Sequence, residues 1–191
     1  MKSIAVLVGS LSASSINMAF AKALEKIAEP RLRFDFVDIG ALPHYNNDLW
    51  DSPPAAVLEL KSKIETASGV LIVTPEHNRS IPGVLKNAID WASRPWGQSS
   101  WSGKPVALVG TTPGATGTSS AQSHLRSVLP MLEVLLLGQP EVYLQYRPGL
   151  IDEHHEVTDE QTRAFLAGFV DRFDELIERH GAPVAHAVAA E

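Results

Sequence analysis

No cysteine occurs anywhere in the 191 residues. Disulfide staples, thiolate metal sites, iron–sulfur centres and cysteine nucleophiles are therefore excluded. Positive charge is also scarce, because 16 Lys and Arg stand against 22 Asp and Glu and leave a formal net charge of −6. That leaves no general basic surface for nucleic acid or an anionic membrane, although a local anion site is still compatible. Long apolar runs are missing as well. The run behind Lys2, residues 4–8, ends at Gly9, too soon for an export segment and far too soon to span a bilayer. It reads as a buried strand, and the expected compartment is cytoplasmic. The seven histidines form no metal-like set, and the closest pair, His154 and His155, sits in an acidic, turn-like stretch. No metal is expected.

What is present suits one globular domain with a substantial core. Short apolar runs at 4–8, 70–73 and 106–109 read as buried strands, and Leu32, Phe34 and Phe36 alternate with Arg33 and Asp35 as a half-exposed strand does. Residues 141–145 make a final strand. Between them the period becomes helical. Ile16, Phe20, Ala23, Leu24 and Ile27 share one face before Pro30, and Val57, Leu60 and Ile64 share another. Leu85, Ala88, Ile89 and Ala92 form a third stripe. Residues 120–137 can continue as helix, though Pro130 must kink or interrupt it. A last helix is expected from about Asp159 to Arg179. Residues 38–54 read as an irregular loop, and residues 181–191 as a flexible tail after a single domain at 1–180.

Strand and helix thus alternate about five times with no repeat or linker. That pattern implies a doubly wound, five-stranded parallel sheet with helices on both faces. In such a sheet ligands bind beyond the carboxyl ends of the strands, where the strand order reverses. Three loops qualify. Residues 9–17, GSLSASSIN, place Gly9 and a series of hydroxyls at a helix start, where unpaired amides suit a phosphate monoester; ordinary helix capping uses the same residues. Residues 74–83, TPEHNRSIPG, form a proline-restricted excursion in which Glu76 and Asn78 offer polar edges to a heterocycle, while His77 and Arg79 can cover its face. Arg79 is equally suited to an interface between subunits. Residues 111–119, TTPGATGTS, carry Gly114 and Gly117, whose missing side chains let a flat ring approach the main chain. Neither G-x-G-x-x-G nor a P-loop is present, which favours a mononucleotide. Gly9-Ser10 lacks the G-x-S-x-G context of a nucleophile, so no catalytic side chain is assigned.

At these loops the chain resembles the NADPH-dependent FMN reductase family of flavodoxin-like quinone, chromate and azo-compound reductases. The resemblance covers roughly residues 3–180 and is sharpest over 74–91, TPEHNRSIPGVLKNAIDW. It implies a flavodoxin-like fold, in which FMN binds at the switch in strand order. It also implies that Ser10, Ser12, Ser15, Ile16 and Asn17 surround the FMN phosphate. Pro75, Glu76, His77, Asn78 and Ser80 would line the ribityl chain and ring, and Thr112, Pro113, Gly114 and Gly117 its other side. Lys86, Asn87, Asp90 and Trp91 look like structural or subunit-interface positions; Arg126 and Glu133 fit the subunit interface, and Glu133 equally fits a solvated helix face. One departure stands out: the family's phosphate turn commonly reads G-S-L-R, and here Ser12 replaces the arginine.

The implied activity is two-electron transfer from NADPH or NADH through FMN to a small-molecule acceptor: a quinone, a chromate-like oxyanion, an azo or nitro compound, or free flavin. The implied assembly is a homodimer or homotetramer. Two other readings stay open at this stage, a noncatalytic flavodoxin-type electron carrier and a flavin-free, ligand-responsive scaffold.

Overall fold

The alternation of buried runs and amphipathic stripes resolves into a three-layer sandwich in the computed structural model, which describes residues 1–180. The expectation for the tail, 181–191, lies outside the described residues. Strands β1 (Lys2–Val8), β2 (Leu32–Phe36), β3 (Gly69–Val73), β4 (Pro105–Thr112), β5 (Leu135–Leu136) and β6 (Val142–Gln145) form one sheet. Every pairing in it is parallel. The helices are α1 (Ile16–Ala28), α2 (Ala55–Thr66), α3 (Gly83–Ala92), α4 (Ser119–Val128) and α5 (Glu160–His180).

Because strand side chains alternate between faces, each central strand contributes to two cores. Ile4, Val6, Val8, Leu71, Val73, Ala107 and Val109 pack with Phe20 and Leu24 of α1 and with Leu166, Phe169 and Phe173 of α5. Ala5, Leu7, Val70, Ile72, Val106 and Leu108 pack on the other face with residues of α2, α3 and α4. Burial on both faces explains why β3 reads as an uninterrupted apolar run rather than an alternating one. The edge strand β2 keeps the alternation, with Arg33 and Asp35 exposed.

The strand order is β2-β1-β3-β4-β5, with β6 also on β4. The chain steps from β1 outward to β2, then returns past β1 to β3 and continues the other way. The order therefore reverses between β1 and β3, which places the switch point there.

Two expectations need correction. The sheet has six strands among the described residues rather than five, because the last lane is split: β5 pairs with Pro105 and Val106, and β6 with Val109 to Thr112. The helix expected over 120–137 ends at Val128 and passes into a 3-10 turn, Leu129–Leu132. Pro130 lacks the amide that would continue the ladder, and Glu133 then turns left-handed at φ 59° to redirect the chain into β5. The loop 38–54 also carries two short 3-10 turns, Ile39–Ala41 and Asn47–Asp51. No helix among the described residues is long and apolar enough to cross a membrane.

Candidate active site

Since β1, β3 and β4 are adjacent and parallel, the three loops that follow them leave from the same edge. The ladder carries on past the strand ends: the Gly9 amide donates to the Val73 carbonyl at 2.8 Å, and the Thr74 amide to that of Val109 at 2.9 Å. Gly9 sits so near the second loop that a Cβ there would lie 3.1 Å from Cδ of Pro75. The three sequence segments are thus brought together at the switch point.

The first turn wraps the start of α1. Ser15 is its N-cap, and its Oγ accepts from the Met18 amide at 3.1 Å. Accepting leaves the hydroxyl proton free to donate elsewhere. The amides of Ile16 and Asn17, in the first helical turn, have no intrahelical acceptor and lie at the positive end of the helix dipole. Ser10 is half-buried and Ser12 exposed. The Ser12 Oγ accepts from the Ser14 amide at 3.3 Å, so it also shapes the turn. Residues 9–17 contain no Lys or Arg; this donor set consists of hydroxyls and amides, and it fits a phosphate monoester by hydrogen bonding at a helix start.

The Asn17 side chain points elsewhere. It is buried, its Nδ2 donates to the Thr111 carbonyl at 2.9 Å, and its Oδ1 accepts from the Thr111 amide at 3.0 Å. Both of its polar groups are therefore engaged at the end of β4, and only its backbone faces the turn.

The second loop closes into a tight reversal. The amide and carbonyl of His77 exchange bonds with those of Ser80 at 3.0 and 2.9 Å. Asn78 and Arg79 between them both have positive φ, 50° and 61°. This is the primed turn ordinarily occupied by glycine; a side chain there costs roughly 1–2 kcal/mol per residue, somewhat less for Asn. Strain of this kind persists where the surroundings enforce it. Two side-chain contacts to α4 do so. Glu76 Oε2 accepts from the amides of Ser120 and Ala121 at 2.9 and 3.1 Å, capping α4 in place of Thr118, which forms no side-chain cap. Ser80 Oγ lies 2.8 Å from His124 Nδ1.

In the third loop, Thr111 is buried and its hydroxyl donates to the Leu144 carbonyl at 3.0 Å, so its role is structural. Thr112 is half-buried, Pro113 and Gly114 are exposed, and the Pro113 carbonyl accepts from Gln145 Nε2 at 3.0 Å. Nothing crowds Gly114; the atom nearest to a Cβ there is 3.8 Å away. Its main chain is open to a flat ligand. Gly117, by contrast, is buried at φ 60° against Tyr143. Burial pushes the Tyr143 phenol up, and the neighbouring Glu141 carboxylate adds to this.

The motif residues on α3 do structural work. Asn87 Oδ1 accepts from the Tyr45 amide at 2.8 Å, and its Nδ2 and Trp91 Nε1 both donate to the Pro43 carbonyl. Together they pin the 38–54 segment. Lys86 and Asp90 pair at 2.8 Å on the exposed side of the helix. Arg126 is occupied within the chain by Glu141 at 3.0 Å and by the Leu137 carbonyl, and Glu133 accepts from the Ser102 hydroxyl at 2.7 Å. Sequence reasoning missed His124, whose ring meets Ser80 from α4, and Tyr143, whose backbone packs on Gly117 from β6. No local pattern marks either one.

A family model described as NADPH-dependent FMN reductase matches residues 2–148. A 2-hydroxy-1,4-benzoquinone reductase from a Burkholderia species is 51% identical over 170 residues, covering 89% of this chain and 93% of that protein. A quinone reductase from Pseudomonas putida is 46% identical, covering 90% and 92%. The solved flavoenzyme NAD(P)H:(acceptor) oxidoreductase FerB from Paracoccus denitrificans superimposes with a TM-score of 0.93 at 49% identity, covering 95% of this chain and 100% of that one.

Proposed function

Since the chain belongs to the NADPH-dependent FMN reductase family, we propose that it is an FMN-dependent NAD(P)H oxidoreductase whose acceptors are quinones. The acceptor class rests on the similarity to the two quinone-reducing relatives. When bound, FMN supplies the two-electron redox chemistry, taking electrons from NAD(P)H and passing them to the acceptor.

The protein's part is to bind and orient. In this reading Ser10, Ser15 and the amides of Ile16 and Asn17 hold the phosphate, with Ser12 shaping their turn. The main chain of Pro75, Glu76, His77 and Asn78 runs along the ribityl chain and ring, and Ser80 holds the reversal shut. Thr112, Pro113 and Gly114 flank the ring's other side, and Gly117 lets their loop close on β6. No side chain is assigned a proton-transfer role. The observation that carries the proposal is the convergence of a hydroxyl-lined helix start and an open glycine main chain at one switch point.

We extend the proposal to a homodimer or homotetramer in the cytoplasm, where the nicotinamide donors are abundant. Support for assembly comes from the α3–α4 side, where Trp96 and Met131 are 79% and 74% exposed beside a cleft of about 630 Å³. Light scattering of the purified protein reads the assembly directly; a monomer at micromolar concentration would contradict it. Anaerobic mixing of FMN-loaded protein with NADPH or NADH should bleach the oxidised flavin band, and a quinone should restore it. Persistence of the band with both donors would end the reductase reading.

A further inference from the structure

The third loop is held at both ends by side chains from the other two. At its start, Asn17 matches the Thr111 amide and carbonyl with one carboxamide, across 94 positions of sequence. At its far end, Glu76 Oε2 receives the amides of Ser120 and Ala121. Between these anchors the loop has little packing of its own, since residues 113–116 are exposed. Its position relative to the first two loops is set by these two polar contacts, while the pairing of Thr112 with β6, the Gln145–Pro113 bond and Gly117 under Tyr143 hold it to the last strand.

We propose that Asn17 and Glu76 are positioning residues: their side chains fix the gap into which the flavin ring enters and make no contact with FMN themselves. The assignment rests on the FMN reading above and refines it. A buried carboxamide that already serves one N–H and one C=O is oriented by the end of β4 rather than by a phosphate. At Glu76 it is Oε2 that is directed at the amides of α4, and this bond fixes how the carboxylate is turned. The two residues match the family motifs at the places where ligands are expected, yet their side chains bind protein.

This distinction has a measurable signature, because riboflavin shares the ring and lacks the phosphate. Loss of a phosphate ligand weakens FMN and leaves riboflavin unchanged. Loss of a clamp misplaces the ring-side loop and weakens both alike. Removing one partner of the buried Asn17 pair is expected to lower both affinities about tenfold or more, and removing the half-buried Glu76 cap to lower both by less. The test is fluorescence-quench titration of wild type, Asn17→Ala, Glu76→Ala and Glu76→Gln with FMN and with riboflavin. Glu76→Gln keeps an oxygen acceptor and should recover most of the loss. The proposal expects parallel weakening, with the FMN-to-riboflavin affinity ratio held within about twofold. A selective loss of FMN binding in Asn17→Ala would make Asn17 a phosphate ligand and overturn its assignment. Wild-type affinities in both alanine variants would overturn the clamp. Should Asn17→Ala not fold, Asn17→Ser and the Glu76 pair give the same two readings. Failure of the wild type to bind either flavin would instead sink the FMN reading itself, and is told apart by that control.

Discussion

Gly117 lies so close beneath Tyr143 that a Cβ added to it would fall 2.6 Å from the Tyr143 carbonyl carbon. Its φ of 60° also belongs to the left-handed region. Sequence presents Gly114 and Gly117 as equivalent, but the structure separates them: Gly114 is open and Gly117 is a contact between the third loop and β6.

Gly117→Ala should consequently destabilise the fold by about 2–4 kcal/mol, combining left-handed strain with overpacking against backbone. Gly114→Ala should leave stability within about 0.5 kcal/mol and act instead on flavin affinity. Thermal or urea unfolding of the two variants, with flavin titration of each, checks the contrast. Equal destabilisation by both would refute it.

Ser15 has two roles, as the helix cap for Met18 and as a hydroxyl donor towards the proposed phosphate. Ser15→Ala should lose about 1 kcal/mol of stability through the missing cap. It should also weaken FMN severalfold with riboflavin affinity unchanged. Urea unfolding and parallel titrations give both numbers; if riboflavin weakens equally, Ser15 acts on the turn's shape alone.

Ser12 stands where the family commonly places arginine, and the turn 9–17 has no cation of its own. Ser12→Arg should tighten FMN roughly tenfold through charge-assisted bonds. The gain should shrink as salt is raised and be absent for riboflavin. No gain at low ionic strength would mean that the position does not face the phosphate.

The Tyr143 phenol is held above its ordinary value of 10.0, first by burial and then by Glu141. The unfolded chain therefore gives up this proton first. Between the unfolded and folded values the native state holds more protons, so stability falls as pH rises through that window and the contribution is complete below 10.0. Tyr143→Phe should flatten the loss of melting temperature between about pH 9 and pH 11, and absorbance titration near 295 nm should place the phenol above 10.0. A phenol titrating below 10.0 would reverse the sign.

Much of this protein was legible in its sequence because the signals are local. Burial on both faces leaves continuous apolar runs in β1, β3 and β4, and helices betray themselves by stripes such as Phe20 and Leu24. The motif over residues 74–91 then identified the family. Other features depended on residues distant in the chain. Pro130 announced an interruption, but whether the chain would kink or turn back into β5 depended on the free edge of β4, which no window around the proline contains. Asn17 and Glu76 read as ligands because polar residues in a strand-end loop normally face outward; their bonds to partners 94 and 44 positions away could be seen only in the folded chain. Sequence alone determined the fold class and the three loops, since periodicity and turn chemistry are properties of short segments. Only the tertiary structure decided which groups in those loops are free to bind, because a hydrogen bond already made to a distant backbone takes its donor or acceptor out of use.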